Sequence, residues 1–246
     1  MKRVFQLVLL AAGLAWCVPA RAQTFVKAAQ NETTSNQAVT VTISTAANDF
    51  IVFACRQNVN NTATAAITDS AGQTGWSQTA SGYKDDGTGD RIAVFFRANS
   101  AALTSATCTW SPNPSATVDG IVYEVSGMVS SAGEDSSVNN TQSSGTTATS
   151  GSLTTTNAND ILFFANCMNG AFSGATAGSG YTIPTNGTSG RCISEYKIVG
   201  ATQSGVTTTD TWTTSRANAN IFAGFKGAAA GGSTKPYNMS QQNVQR

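Results

Sequence analysis

The chain has 246 residues, of which 40% are hydrophobic and only 11% charged, against the roughly 25% charged residues usual for soluble domains. Its 14 basic and 13 acidic residues nearly cancel. Phosphate neutralisation of the kind that drives nucleic-acid binding therefore has no source, and an anionic membrane surface is disfavoured on the same ground.

Residues 1–22 read as a secretory signal. "MKR" supplies the positive start, "VFQLVLLAAGLAWCV" the apolar core and "PARA" the small-residue cleavage site, placing the cut after Ala22. The apolar run is too short for a membrane span, and no later stretch reaches 18 apolar residues. Removal of Lys2, Arg3 and Arg21 leaves 14 − 3 = 11 basic residues against 13 acids, a net charge of −2. The mature chain is expected to be secreted, periplasmic or held at the cell surface. Its last stretch, "AAGGSTKPYNMSQQNVQR" (229–246), has lost all alternation and is expected to be disordered.

The middle of the chain repeats itself. "ANDFIVFAC" starts at residue 47 and "ANDILFFANC" at 158, an offset of 111. Each follows an alternating, Thr-rich strand and a turn at Asn-Asp, residues that bond their own backbone and tolerate left-handed conformations. "RIAVFFRA" (91–98) then matches "CISEYKIV" (192–199), "TCTW" (107–110) matches "TDTW" (209–212), and "GIVYEVSG" (120–127) matches "NIFAGFKG" at an offset of 100. No stretch shows helical periodicity. Short strands separated by Gly, Asn, Asp and Ser clusters argue for an all-β antiparallel sandwich. We expect one two-sheet, jelly-roll-like domain over 23–228, with pseudo-repeats at about 38–128 and 149–228; two separate domains are the alternative. The polar segment 130–152 has the composition of a linker. Strands apolar on both faces fit a two-layer sandwich poorly, because its outer faces are solvated. They require either covering loops or association.

After the signal, the cysteines are Cys55, Cys108, Cys167 and Cys192. An even number in an oxidising compartment suggests two disulfides, with three connectivities open. Pairing within each repeat, Cys55–Cys108 and Cys167–Cys192, is the expectation; buried free thiols are the alternative.

"ITDSAGQT" (67–74), "VYEVSG", "AGSGYT" (177–182), "SEYKIV" and the closing "FAGFKG" resemble a sandwich domain found in exported bacterial proteins, similar in architecture to concanavalin-like and jelly-roll modules. The resemblance spans most of residues 24–228. It implies a fold and little chemistry, because these motifs are turns and core strands.

With no histidine in the chain, Ser–His–Asp and Cys–His nucleophile arrangements cannot be built. Carboxylate-only glycoside hydrolysis survives, with Glu124 and Glu195 as its candidates, each in an apolar strand beside tyrosine. "KDDGTGD" (84–90) offers Asp85, Asp86 and Asp90 as calcium ligands on a flexible loop, without EF-hand spacing; calcium is the one cofactor the sequence suggests. Trp76, Tyr83, Trp110, Tyr181 and Trp212 lie near turns or in polar strands and could stack sugar rings. The matched pair Trp110 and Trp212 suits a shared structural plug equally well. The leading expectation is a non-enzymatic module that binds a glycan or a surface protein. A self-associating structural protein and a glycoside hydrolase are the alternatives.

Overall fold

A computed structural model describes residues 22–58, 62–112 and 116–229. The signal segment up to residue 21 and the tail from residue 230 lie outside the described residues. The described chain is all-β, and every strand pairing is antiparallel. No described helix is long and apolar enough to cross a membrane.

The first half contains β1 (Thr24–Asn36), β2 (Ala38–Thr42), β3 (Asp49–Gln57), β4 (Thr64–Asp69), β5 (Ser77–Gln78), β6 (Lys84–Asp85), β7 (Arg91–Ser100), β8 (Ser105–Ser111) and β9 (Ala116–Ser126). Its inner sheet runs β1–β9–β3–β7, with β5 and β6 on the far side of β7, and its outer sheet runs β2–β8–β4. The second half contains β10 (Glu134–Gln142), β11 (Thr147–Thr149), β12 (Asp160–Met168), β13 (Cys192–Val199), β14 (Thr209–Thr211) and β15 (Asn218–Lys226). Its inner sheet runs β10–β15–β12–β13 under an outer ribbon β11–β14. The strand order of the first half is thus written again. Register agrees as well: Phe50 faces Val125 and Cys55 faces Gly120, while Ile161 faces Phe225 and Asn166 faces Asn220.

The two inner sheets pack face to face. Phe50, Val52, Ile121, Tyr123 and Val125 from the first half share one core with Ile161, Phe163, Ile221 and Phe225 from the second. Tyr123 meets Phe163 edge-on at 4.8 Å, and Phe225 packs on both Phe50 and Phe96. The edges cross reciprocally. Phe25 of β1 stacks on Tyr196 of β13 at 4.5 Å, and at the opposite edge Glu134 and Ser137 of β10 accept hydrogen bonds from Ala80 and Ser81 beside β7. Because β1 matches β10 and β7 matches β13, this crossing is a pseudo-twofold. On the outer faces, Ile51, Phe53 and Cys55 pack on Val39, Val41 and Trp110, while Leu162, Phe164 and Phe222 pack on Ala148 and Trp212.

The expected all-β sandwich therefore has four layers rather than two. Each inner sheet is covered on one side by the other half and on the other side by its own outer strands. This is why β3 and β12 are apolar on both faces; each fully buried Val, Ile or Phe contributes roughly 1.5–3 kcal/mol. The repeat also begins earlier than its apolar pattern suggests, at β1 and β10. Residues 130–152, linker-like in composition, form β10 and β11. β10 is half-buried along its whole length as an edge strand, so it needs backbone partners more than apolar side chains.

Asn48 takes the left-handed conformation (φ 70°) that the "AND" turn invites. At Gly120, an added Cβ would come within 2.9 Å of Phe53 and Val39, so glycine lets the outer sheet approach the inner one closely. Residues 22 and 229 leave from one region. The Gln23 side chain lies against Gly227, Thr24 pairs with Ser126, and Ala228 N–H donates to Gly127.

Both disulfides lie within a half, Cys55–Cys108 and Cys167–Cys192, but they are not equivalent. Cys55–Cys108 ties the inner sheet to the outer one, whereas Cys167 and Cys192 face each other on neighbouring strands of one sheet. Register equates Cys55 with Asn166, and the match of "TCTW" to "TDTW" equates Cys108 with Asp210. There the second half has a buried contact between Asn166 Nδ2 and the Asp210 carboxylate at 3.3 Å. The double variant Asn166→Cys/Asp210→Cys should therefore close a third disulfide and raise stability by roughly 2–4 kcal/mol. Thiol counting on the non-reduced, refolded variant checks this; two free thiols would limit the equivalence of the halves to the strand ladder.

Candidate functional site

The first half has an open side. β4 is the edge of its outer sheet and alternates, with Ala65, Ile67 and Asp69 half-buried and Thr64, Ala66 and Thr68 exposed. The chain then folds back beneath Asp69, whose carboxylate accepts from the backbone of Ala71 (3.0 Å) and Gln73 (3.1 Å) and from Trp76 Nε1 (2.8 Å). Asp69 thereby fixes the indole plane. Arg97 reaches over from β7, donating to Gln73 Oε1 at 2.9 Å and to the Thr74 carbonyl. Together β4, residues 72–76 and Phe95 line a cavity of about 500 Å³ with Trp76 as a wall. Tyr83 lies at the other end of β4. Its hydroxyl accepts from Ala65 N–H at 2.8 Å, its ring packs on Trp110, and the Arg91 guanidinium sits 4.3 Å from its centroid.

The five candidate aromatics thus separate. Trp76, Tyr83 and Tyr181 are half-exposed at turns, with Tyr181 packed against the outer core of the second half beside Lys197. Trp110 is fully buried and Trp212 is 4% exposed. Their backbone amides donate to matching carbonyls, Gln37 and Thr146. Neither presents a ring face to solvent, because each plugs the space between an inner and an outer sheet.

The carboxylates are dispersed. Glu124 lies on the outer face of β9, 3.4 Å from Lys27 and accepting from Ala46 N–H at 2.5 Å. Glu195 lies on the outer face of β13, accepting from Gly178 N–H (2.7 Å) and Thr208 Oγ1 (2.5 Å). Both inner sheets stand between them. Packed sheets are ~10 Å apart before their outer side chains are counted, so the two glutamates flank no common cleft. In the 84–90 loop, Asp86 accepts from the backbone of Thr88 (2.7 Å) and Asp90 (3.1 Å) and from Thr88 Oγ1 (2.6 Å). Asp85 pairs with Arg91 at 3.5 Å, and Asp90 pairs with Arg56. Each carboxylate is committed to a donor of the protein, and among the described residues no three Asp, Glu or Cys side chains converge as metal ligands. Burial pushes Asp90 up to about 7 against the pull of Arg56.

Two buried polar clusters were not anticipated from the sequence. Arg56, wholly buried at the seam between the halves, donates to Asp119 at 2.8 Å and to Asp90, and Asp119 accepts from Ser189 of the second half at 2.8 Å. Its signal was present: strand alternation from Cys55 in "FACRQ" puts Arg56 on the inner face. The second cluster lies under β11 and β14. Asn140, Asn220 and Asn166 sit side by side on three strands, with Asp210 and Glu195 close by. Burial, and then the neighbouring Glu195 charge, push Asp210 well above the usual aspartate range; burial also raises Glu195.

No family model, curated protein or solved structure matches the chain. The site must therefore be interpreted from its own chemistry.

The acid cluster gives a signed expectation. A carboxyl raised on folding leaves stability whole below its unfolded value, about 4 for aspartate, and stability is lost as pH rises through the folded value. Asp210→Asn keeps an acceptor for Asn166 and removes the titration. It should raise Tm at pH 8 by about 2–4 °C, with a gain that shrinks toward pH 4. A gain independent of pH, measured by thermal melts across that range, would mean that folding does not raise the Asp210 carboxyl.

Proposed function

We propose that the chain is an exported, non-enzymatic β-sandwich module that binds carbohydrate along the Trp76 groove. The carrying observation is the indole itself, half-exposed, held in plane by Asp69 and bordered by Thr68, Gln73 and Thr74. An apolar wall with a few convergent polar groups suits a sugar ring, whose faces are apolar and whose rim is hydroxylated. The all-β, antiparallel sheets support a sandwich module, the coarser part of what the turn motifs resemble. Two disulfides suit an extracytoplasmic setting. The separation of Glu124 from Glu195 favours binding over hydrolysis.

A glycan-array screen of the chain from Gln23 onward, run with calcium and with EDTA, tests this. Specific binding is expected, equal in both buffers, and Trp76→Ala should weaken it by about tenfold or more, as loss of an aromatic anchor does. A blank array, or binding untouched by Trp76→Ala, overturns the assignment. Loss in EDTA alone would return the 84–90 loop to consideration.

A self-associating surface protein is the second reading, favoured by one feature. Val26 and Ile198, exposed by 43% and 40%, are large hydrophobics on β1 and β13, edge strands that meet through Phe25 and Tyr196. On that reading, light scattering at high concentration shows oligomers, and Val26→Lys disperses them. A monomer under those conditions counts against it.

A further inference from the structure

The Trp76 turn has a counterpart in the second half. Ser77 pairs with Phe96 of β7, and Thr182 bridges Tyr196 of β13. Phe96 and Tyr196 hold matching places, opposite Val52 and Phe163. The residues just before Ser77 and Thr182, Trp76 and Tyr181, therefore match as well. Each follows a glycine in the left-handed region, Gly75 at φ 87° and Gly180 at φ 77°. Beside each glycine lies the end of a cationic side chain from the neighbouring inner strand. An added Cβ would sit 3.2 Å from Arg97 Nη1 at Gly75, and 3.3 Å from Lys197 Nζ at Gly180. Arg97 and Lys197 also match, one residue after Phe96 and Tyr196. Lys197 Nζ stands 5.5 Å from the Tyr181 ring centroid.

Packing alone accounts for Trp110 and Trp212, because both are buried. It does not require the other pair to be half-exposed or to carry a cation. At Trp76 and Tyr181 the duplicated features gather at a half-exposed turn: an aromatic ring, a left-handed glycine, and the end of a cationic side chain beside it. The ring stacks against the face of a pyranose, and the cation suits a carboxylate on that sugar. The carboxylates near both turns already accept from protein donors: Asp69 from four, counting Gln73 Nε2, and Glu195 from Gly178 N–H and Thr208 Oγ1.

We propose that the chain carries two such subsites, one at Trp76/Arg97 and one at Tyr181/Lys197, each taking a uronic-acid residue of an acidic polysaccharide. The proposal rests on the carbohydrate-binding reading and deepens it. The pseudo-twofold places β7 and β13 at opposite edges of the paired inner sheets, so the subsites face apart. One molecule then bridges two stretches of polysaccharide and does not grip a single short oligosaccharide twice.

The test is calorimetric titration of the mature chain with a hexamer of galacturonic acid, and separately with cellohexaose, at low and high salt. Two galacturonate hexamers per chain are expected, bound more weakly at high salt, with cellohexaose at least about tenfold weaker, the equivalent of one lost 1.4 kcal/mol contact per site. Tyr181→Ala and Trp76→Ala should each lower the stoichiometry to one. Lys197→Gln, which keeps the stem of a half-exposed side chain and so spares the fold, should do the same for galacturonate. One hexamer per chain, insensitive to Lys197→Gln and lost in Trp76→Ala, overturns the second subsite and leaves the Trp76 groove standing. Equal or stronger binding of cellohexaose overturns the acidic class, as does binding of neither hexamer; in that case the array judges the groove independently.

Discussion

The contact between the two inner sheets is the constraint on which the rest depends. It makes β3, β9, β12 and β15 apolar on the shared face, and the outer layers make them apolar on the other. Few polar groups enter that contact, and those that do are matched across it. Ser194 Oγ of the second half donates to the Tyr123 hydroxyl of the first at 2.9 Å, and Ser189 joins the Arg56–Asp119 pair. A buried ion pair is weak evidence for stability, because desolvation offsets much of its attraction. Its consequence here is geometric. Sliding one sheet over the other would leave the Arg56 pairs intact within the first half but strip Asp119 of Ser189 and the Tyr123 hydroxyl of Ser194, so the apolar contact supplies adhesion and these two polar pegs set the register between halves.

The halves answer the same mechanical problem differently at matching positions. Each must hold its outer strands onto its inner sheet. The first does so closely, with Gly120 admitting Val39 and Val41 and a disulfide joining Cys55 to Cys108. The second has Asn220 in place of Gly120 and Asn166–Asp210 in place of the disulfide. Where β4 lies in the first half, the second has only the isolated bridge from Thr176 to Thr211. A looser, more polar joint follows, and with it the raised carboxyls of Asp210 and Glu195.

Much of this arrangement was legible in the residues. The paired "AND" strands, the matched "TCTW" and "TDTW" and the doubly apolar runs imply a duplicated β fold, and the doubly apolar runs already conflict with two layers. Four layers were not legible, because nothing local in a strand says which partner covers its second face. β10 escaped notice because "EDSSVNNTQ" satisfies its backbone against β15 and buries only Val138 among large apolar side chains. In the candidate site, Trp76 and Tyr181 stood out by their turns. Asp69, Gln73 and Arg97 did not, since their roles depend on the return of the chain beneath β4 and on a strand some twenty residues on. The relation between Trp76 and Tyr181 needed the ladder register; their surrounding sequences differ too much to align by eye.

Residues 22 and 229 emerge beside the turn that joins the halves, where Gly127 accepts from Ala228. Residues 22–24, 227–229 and the connection between the halves are thereby gathered at one place. A short link from 229 to 22, with new ends opened between 129 and 132, would exchange the order of the halves without altering a strand pairing. Chain order is thus a matter of synthesis, and the folded architecture is indifferent to which half is made first.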